Sequence, residues 1–104
     1  MHKEDDILIR QVTCKGEVEP VDLGGYDNIR LATGNFTGTT SFGIIADNEQ
    51  DAKGPLTTGQ QCLVIQCAPG PQTIYNLDGM GTIWINAGDA THPGVFFFMG
   101  WNNV

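Results

Sequence analysis

Positive charge is scarce in this chain. Its 104 residues include 5 lysines and arginines against 12 aspartates and glutamates, and the formal net charge is -7. All five basic residues precede Gly54: Lys3, Arg10, Lys15, Arg30 and Lys53. Binding to nucleic acid or to an anionic membrane surface requires clustered lysine and arginine. The composition therefore predicts no nucleic-acid partner and no general affinity for membranes.

Long apolar runs and export signals are also missing. No stretch approaches the roughly 18 consecutive apolar residues that span a bilayer, and the first ten residues, MHKEDDILIR, lack the apolar segment and cleavage site of a signal peptide. We therefore expect a soluble and unprocessed chain, with no membrane insertion. Its three cysteines, Cys14, Cys62 and Cys67, are an odd number and are expected to be reduced thiols that pack as small apolar side chains.

Long helical periodicity is absent, whereas short apolar or alternating runs recur between turn residues, and this pattern indicates a β-sandwich or barrel. Charged residues make up only 16% of a chain with 14 glycines and 5 prolines, which favours short strands and many turns. We predict an all-β fold, a small antiparallel β-sandwich or barrel of about seven strands. Residues 1–6 are expected to be a flexible N-terminus and residues 7–104 a single β domain. The predicted strands are Ile7–Cys14, Asn28–Thr33, Ser41–Ala46, Gln61–Cys67, Thr73–Leu77, Thr82–Asn86 and Val95–Trp101.

Two connections stand out between these strands. The segment Asp78-Gly79-Met80-Gly81 lies between QTIYNL and TIWIN, and its glycines suit a tight return, so it predicts a β-hairpin. Residues 47–60 carry acids, glycines and a proline without β alternation, and they predict a long surface loop.

Two strands are apolar on both faces, although a strand with one wet face should alternate in polarity. In 95–101 the valine, methionine and tryptophan share a face with Phe97, while Phe96 and Phe98 lie opposite; the segment 61–67 shows the same property. One small sandwich has a single inner layer, so the second apolar face needs other cover. With so little charge after Gly54, we favour a subunit interface over cover by the chain itself.

The search for catalytic residues yields little. Of two histidines only His92 is a serious candidate, and it lies in the turn sequence Thr-His-Pro-Gly, where a solvated histidine is the ordinary case. Asp78 and Asp89 are conceivable as a glycosidase pair but are better explained as turn residues. We expect no catalytic residue and no enzymatic activity. An enzyme such as a glycan depolymerase is a competing hypothesis that depends on those two aspartates.

Metal and cofactor sites are not indicated either. The three cysteines and His92 have the elements of a zinc site but the wrong spacing, because Cys62 and Cys67 should point to opposite faces of one strand. The acids at 47, 49 and 51 resemble the start of a calcium loop, but alanine stands where the turn needs glycine. No phosphate cradle or nucleotide motif is present, so we expect no cofactor and no metal.

Binding is better supported than catalysis. Loops rich in Asn, Asp, Thr and Gly, together with aromatic residues, are the groups that stack on sugars and hydrogen-bond to them. Loop position selects six exposed candidates, in which alanine should alter binding more than stability: Asp47, Asn48, Asp51, Asp89, Thr91 and His92. Trp84 and Phe97, by contrast, are expected to fill the core, so that alanine there opens a cavity.

Five segments in order resemble the knob-like domains of bacteriophage tail fibres and of the phage-related R-type pyocin fibres. They are DNIRLATGNF, DAKGPLTTGQ, CLVIQC, QTIYNLDGMGTIWI and VFFFMGW, and they cover about three quarters of the chain from Asp27 onward. Three positions depart from the pattern: Phe36 replaces a tyrosine, the proline loop lacks its asparagine, and Asn86 stands where an arginine is frequent.

The resemblance implies a homotrimeric β domain, located in the virion at the tip of a tail fibre. Its implied partner is a bacterial surface receptor such as lipopolysaccharide or another glycan. The alternative function is a structural virion protein, such as a decoration or head-tail component, which the acidic composition and apolar strands also fit. A fragment of a longer fibre and a small protein that joins a virion by itself are both compatible with the sequence.

Overall fold

A computed structural model describes residues 7–36, 41–67 and 73–103 of the chain. The described part folds into two four-stranded antiparallel sheets, as the sequence predicts for an all-β sandwich, and two stacked sheets replace the alternative of a closed barrel. Eight strands and one helical turn follow each other along the chain: β1 (Leu8–Cys14), β2 (Glu19–Asp22), β3 (Asn28–Phe36), β4 (Ser41–Ala46), α1 (Glu49–Ala52), β5 (Leu63–Cys67), β6 (Ile74–Asn76), β7 (Thr82–Asn86) and β8 (Gly94–Trp101). The predicted flexible N-terminus, residues 1–6, lies outside the described residues.

Sheet 1 has the strand order β1-β8-β3-β6, and sheet 2 has the order β2-β7-β4-β5. The aromatic strand β8 is central in sheet 1, where Phe98 stands opposite Arg10 on one side and Leu31 on the other. In sheet 2, Ile45 of β4 lies between Ile85 and Leu63. A central position gives β8 a hydrogen-bonded neighbour along each edge, whereas its inner face packs in the core and its outer face does not.

The core lies between the two sheets and is built from alternate positions of their strands. Phe96 and Phe98 of β8 are 1% and 0% exposed and belong to the same buried cluster as Ile45, Ile83 and Ile85 of sheet 2. Phe97 and Trp84 occupy the intervening positions and are only half-buried on the outer faces. The expectation that these two residues fill the core is therefore wrong, because the alternation places their neighbours inside.

The sequence analysis does not predict one of the observed strands, β2. β2 has the sequence Glu-Pro-Val-Asp, in which only Val21 is buried. Proline has no amide hydrogen to donate to a neighbouring strand, so within a sheet it is tolerated mainly at an edge. Flanking acids protect such an edge from pairing with another chain. β2 is an edge strand of sheet 2, next to β7 alone, so its polar sequence gives no strand signal.

The predicted hairpin is wrong. β6 belongs to sheet 1 and β7 to sheet 2, so residues 78–81 carry the chain across the sandwich instead of returning it to the same sheet. The turn itself is present, with Gly79 at φ 88° and a hydrogen bond from Met80 N–H to Leu77 O at 3.2 Å. Leu77 donates to the carbonyl of Ile29 at 2.8 Å, which holds this end of β6 on β3. Turn chemistry is thus visible in the sequence, but the partner of each flanking strand is not.

The predicted loop at 47–60 contains the helical turn α1 and is closed by Gln60. The Gln60 side chain donates to the backbone carbonyls of Asp51 and Lys53. Asn86 of β7 donates from its side chain to the carbonyl of Ala52 at 3.1 Å, and Ala52 is fully buried. The segment therefore packs over the outer face of sheet 2 and covers Ile44, which is 7% exposed.

Candidate functional site

The end of β4 and the starts of β5 and β7 meet at one end of the sandwich. Ala46 at the end of β4 pairs with Trp84 near the start of β7, and Ile45 pairs with Leu63 at the start of β5. Antiparallel pairing in sheet 2 therefore brings the end of β4 beside the starts of β5 and β7. The segments that adjoin these strand ends enclose a groove of about 450 Å³, which we call the tip groove. It is lined by Ile45, Ala46, Asp47, Gln61, Cys62, Leu63, Gly79, Met80, Gly81 and Thr82.

The tip groove combines an apolar floor with a polar rim. Ile45 is fully buried, and Leu63 and Met80 are partly buried against the core. Asp47, Gln61 and Thr82 are exposed and supply a carboxylate, an amide and a hydroxyl. None of the described lining residues is basic. Such a lining can accept and donate hydrogen bonds to a neutral hydroxylated ligand, while Asp47 disfavours an anionic one.

The first three predicted site residues lie around α1, and two of them have structural roles. Asn48 is the N-cap of α1: its side-chain oxygen accepts from Asp51 N–H at 2.8 Å. Its amide donates to Asp47 Oδ1 at 2.8 Å and to Asp51 Oδ2 at 2.9 Å. Asn48 and Asp51 are half-buried, so the expectation that they are exposed is wrong, because capping holds both side chains inward. Only Asp47 of this group is exposed and lines the tip groove.

The other three predicted residues form a turn between β7 and β8. Asp89 Oδ1 accepts backbone N–H bonds from Thr91 at 2.8 Å and from His92 at 2.7 Å. The His92 amide contributes most to lowering the pKa of Asp89, and its ring Nδ1 lies 3.3 Å from Asp89 Oδ1. All three residues are exposed, as expected. Their hydrogen bonds lie within the turn, so the structure supplies a reason for these residue types that is independent of any ligand.

The two groups lie at opposite ends of β7. Asp47 is next to Ala46, which pairs near the start of that strand, whereas Asp89 follows its end by three residues. The six predicted residues therefore do not form one surface. Sequence analysis missed Gln61, Met80 and Thr82, because nothing local marks a strand terminus as the wall of a groove.

Asp78 and Asp89 do not face each other either. Asp78 Oδ1 accepts from Ile29 N–H at 2.7 Å, and Ile29 pairs with Gly100 near the end of β8, whereas Asp89 precedes the start of β8. The length of that strand separates them by roughly 20 Å, well beyond the about 5–10 Å that a glycosidase pair requires. The geometry thus gives no support to this particular catalytic pair.

The cysteines are dispersed. Cys14 and Cys67 are buried in the core, and burial raises the pKa of Cys14 to about 12 and that of Cys67 to about 11. Cys62 is half-buried at the tip groove, and all three are free thiols. Within the described ranges, no cluster of three or more His, Cys, Asp or Glu side chains has the arrangement of a metal site.

Sheet 1 presents an apolar outer face. Because alternate residues of β8 point inward, the others point outward, and they lie beside outward residues of β1, β3 and β6. Ile9 and Ile74 on this face are 65% and 64% exposed. They enclose a shallow depression with three neighbours, Ala32, Phe97 and Met99. We call these five residues the apolar patch. The second face of the aromatic strand is therefore not sealed within the described chain.

No family model, curated protein or solved structure matches this chain. Among the described residues, no helix has the length and apolar character needed to cross a bilayer.

Proposed function

We propose that this chain is a non-catalytic receptor-binding module of a bacteriophage tail fibre, which recognises a bacterial surface glycan in the tip groove. The module acts as a homo-oligomer, a trimer in the fibre arrangement, and is incorporated into the virion after synthesis in the host cytoplasm. The single observation that carries the binding role is the tip groove, which joins an apolar floor to a carboxylate, an amide and a hydroxyl at a loop end of a rigid sandwich.

The lining also selects a class of glycan. Asp47 stands on the rim of the groove and no described lining residue supplies a positive charge. A sugar phosphate, uronic acid or other anionic sugar would meet an unpaired like charge there. The expected ligand is therefore a neutral hexose or a short neutral oligosaccharide, whose hydroxyls can bind Asp47, Gln61 and Thr82.

The test is a glycan array followed by calorimetric titration of any glycan that binds. Gln61→Ala combined with Thr82→Ala removes two rim groups and should weaken binding by about thirtyfold, since two lost hydrogen bonds of about 1 kcal/mol each amount to about 2 kcal/mol. Asp47→Asn should reduce the discrimination against anionic sugars.

The matched control is the pair Thr91→Ala and His92→Ala, two exposed polar residues at the opposite end of β7. This pair should leave the affinity within about twofold, because neither residue lines the groove. The absence of binding to any glycan, or loss of binding in the control pair alone, would contradict the proposal.

A structural virion protein is the second candidate. It is favoured by a separate apolar surface on sheet 2, where Phe42 is 65% exposed and Val64 is 40% exposed. Exposed apolar residues of this kind suit permanent contact with another virion protein. Binding to purified capsids with no binding to host cells would support this function and contradict the receptor-binding one.

A further inference from the structure

The two outer faces of the sandwich differ in how they are covered. On sheet 2, the segment that contains α1 lies over the strands, so that Ile44, Ala46 and Ala52 are 7%, 1% and 0% exposed. On sheet 1, Ile9 and Ile74 of the apolar patch remain about two-thirds exposed, at 65% and 64%. The chain thus covers the part of the sheet 2 outer face around Ile44 and Ala46 with its own residues, although Phe42 and Val64 on that sheet stay exposed, and it leaves the apolar patch of sheet 1 to solvent.

The apolar patch continues across all four strands of sheet 1. Met99 of β8 stands between Ile9 of β1 and Arg30 of β3 in one row of the sheet. In the next row, Phe97 stands between Gln11 and Ala32, and Ala32 is followed by Ile74 of β6. Adjacent rows of this kind form a continuous surface rather than scattered exposed side chains, and continuous surfaces of apolar residues mark association sites.

Charge indicates which partner this face accepts. The chain has a formal net charge of -7, so two copies repel each other at most orientations. None of the described outward strand positions of sheet 1 holds an aspartate or glutamate. Arg30 is the only basic side chain among them, and it is paired with Asp78 at the rim. Two copies can therefore bring these faces together without placing carboxylates against each other.

The overall dimensions of the molecule are compatible with such an interface. The molecule measures 43 × 31 × 17 Å, and its thin dimension fits two sheets stacked about 10 Å apart. The broad side of the molecule as a whole, of which the outer face of sheet 1 is a part, thus exceeds the about 800 Å² that each partner contributes to a standard interface. Identical apolar faces can also pack against each other across a symmetry axis of a closed oligomer.

We propose that the outer face of sheet 1 is the interface through which copies of this chain associate, with the apolar patch of one copy packed against the same patch of another. This inference rests on the proposed function in one respect: a multivalent binding module needs a contact between its copies, and the outer face of sheet 1 supplies that contact. It uses none of the residues that line the tip groove.

The test replaces the two most exposed residues of the patch by a residue of similar shape and high β propensity. Ile9→Thr combined with Ile74→Thr keeps β-branched side chains but makes the face polar. Sedimentation velocity from 5 to 500 µM should show a multimer for the natural sequence. The double variant should be a monomer throughout this range or dissociate at a concentration at least about tenfold higher.

The matched control is Phe42→Thr combined with Val64→Thr on the outer face of sheet 2, where the exposed fractions are 65% and 40%. This control should associate like the natural sequence. A natural chain that is monomeric at 500 µM, or loss of association in the control with retention in the patch variant, would overturn the proposal.

A second measurement is independent of any substitution. In ¹³C-methyl NMR spectra of the natural chain, the signals of Ile9, Ile74 and Met99 should move with protein concentration while that of buried Ile83 stays fixed. Signals that remain constant would also overturn the interface.

Glycan binding by a monomeric patch variant would separate the two proposals. Such a variant would retain the receptor-binding role and lose only the gain in affinity that comes from multivalency. A dimer supports the interface but contradicts the trimeric arrangement.

Discussion

The guanidinium Nη1 of Arg30 lies 2.6 Å from Oδ1 of Asp78, a residue 48 positions later in the chain. The same carboxylate oxygen accepts the backbone N–H of Ile29 at 2.7 Å, and Arg30 also lies over the ring of Trp101, with its guanidinium carbon 5.2 Å from the ring centroid. This cluster joins the turn after β6 to β3 and to the last residue of β8. It therefore fixes the point at which the chain leaves sheet 1 for sheet 2.

Acid should weaken this cluster. The hydrogen bond from Ile29 N–H and the neighbouring Arg30 charge lower the pKa of Asp78 in the folded protein. The ionised carboxylate therefore stabilises the fold fully above the pKa of Asp78 in the unfolded chain. This stabilisation is lost as the pH falls through the lower pKa of the folded state. Asp78→Asn should reduce the urea midpoint at pH 7 and flatten the decline of stability below about pH 4. Urea unfolding between pH 2 and pH 7 measures both effects. Glu17→Gln, at an exposed position outside the cluster, should retain the decline; an identical pH profile in both variants would show that Asp78 is not responsible.

Neighbouring phenylalanines of β8 should respond differently to truncation. Phe98 is fully buried, so Phe98→Ala should cost about 4 kcal/mol of unfolding free energy through lost burial and a residual cavity. Phe97 is half-buried on the outer face, so Phe97→Ala opens no enclosed cavity and should cost about 1 kcal/mol. Denaturant unfolding at low protein concentration, where copies are separated, provides the comparison. Equal losses would contradict the assignment of the two faces.

The Asn48 cap offers a test of the loop over sheet 2. Asn48→Ala removes the acceptor for Asp51 N–H and should cost about 1 kcal/mol, whereas Asn48→Ser retains an acceptor and should cost less. Thermal unfolding should show the two variants in that order. If Asn48→Ala instead abolished ligand binding with unchanged stability, the residue would belong to the binding surface and not to the cap.

The three cysteines should be distinguishable by alkylation. Burial raises the pKa of Cys14 to about 12 and of Cys67 to about 11, so both remain thiols at pH 8 and are shielded from reagents. Iodoacetamide should label the native protein only at Cys62 and the unfolded protein at all three positions. Mass spectrometry of the native and denatured samples identifies the labelled peptides. Rapid native labelling of Cys14 would contradict a closed core.

The fold class could be predicted because β periodicity is local. Seven of the eight strands were expected close to their observed positions, since each carries β-branched or aromatic residues between turns. β2 was missed because its edge position permits proline and acids. The hairpin prediction is wrong because a glycine turn determines only that the chain reverses; the contacts of Asp78 with Ile29 and Arg30 hold that turn on sheet 1, and no local pattern specifies them.

The candidate site was less accessible from the sequence. Loop position selects Asp47, which lies at the tip groove, but the polarity of Asn48 and Asp51 serves the cap, and Asp89, Thr91 and His92 bond among themselves. Gln61, Met80 and Thr82 carry no sequence signal because their proximity arises from the pairing of β4 with β5 and β7.

The all-β character of this chain and the two apolar faces of its aromatic strand can be read from the order of residues, because side-chain alternation is a property of consecutive positions. The three-dimensional arrangement is needed to show that Phe96 and Phe98 are sealed inside while Phe97 and Met99 face outward, and that the tip groove forms where three distant segments meet. Those outcomes depend on long-range strand pairing, in which hydrogen-bonded partners are tens of residues apart and no local pattern specifies them.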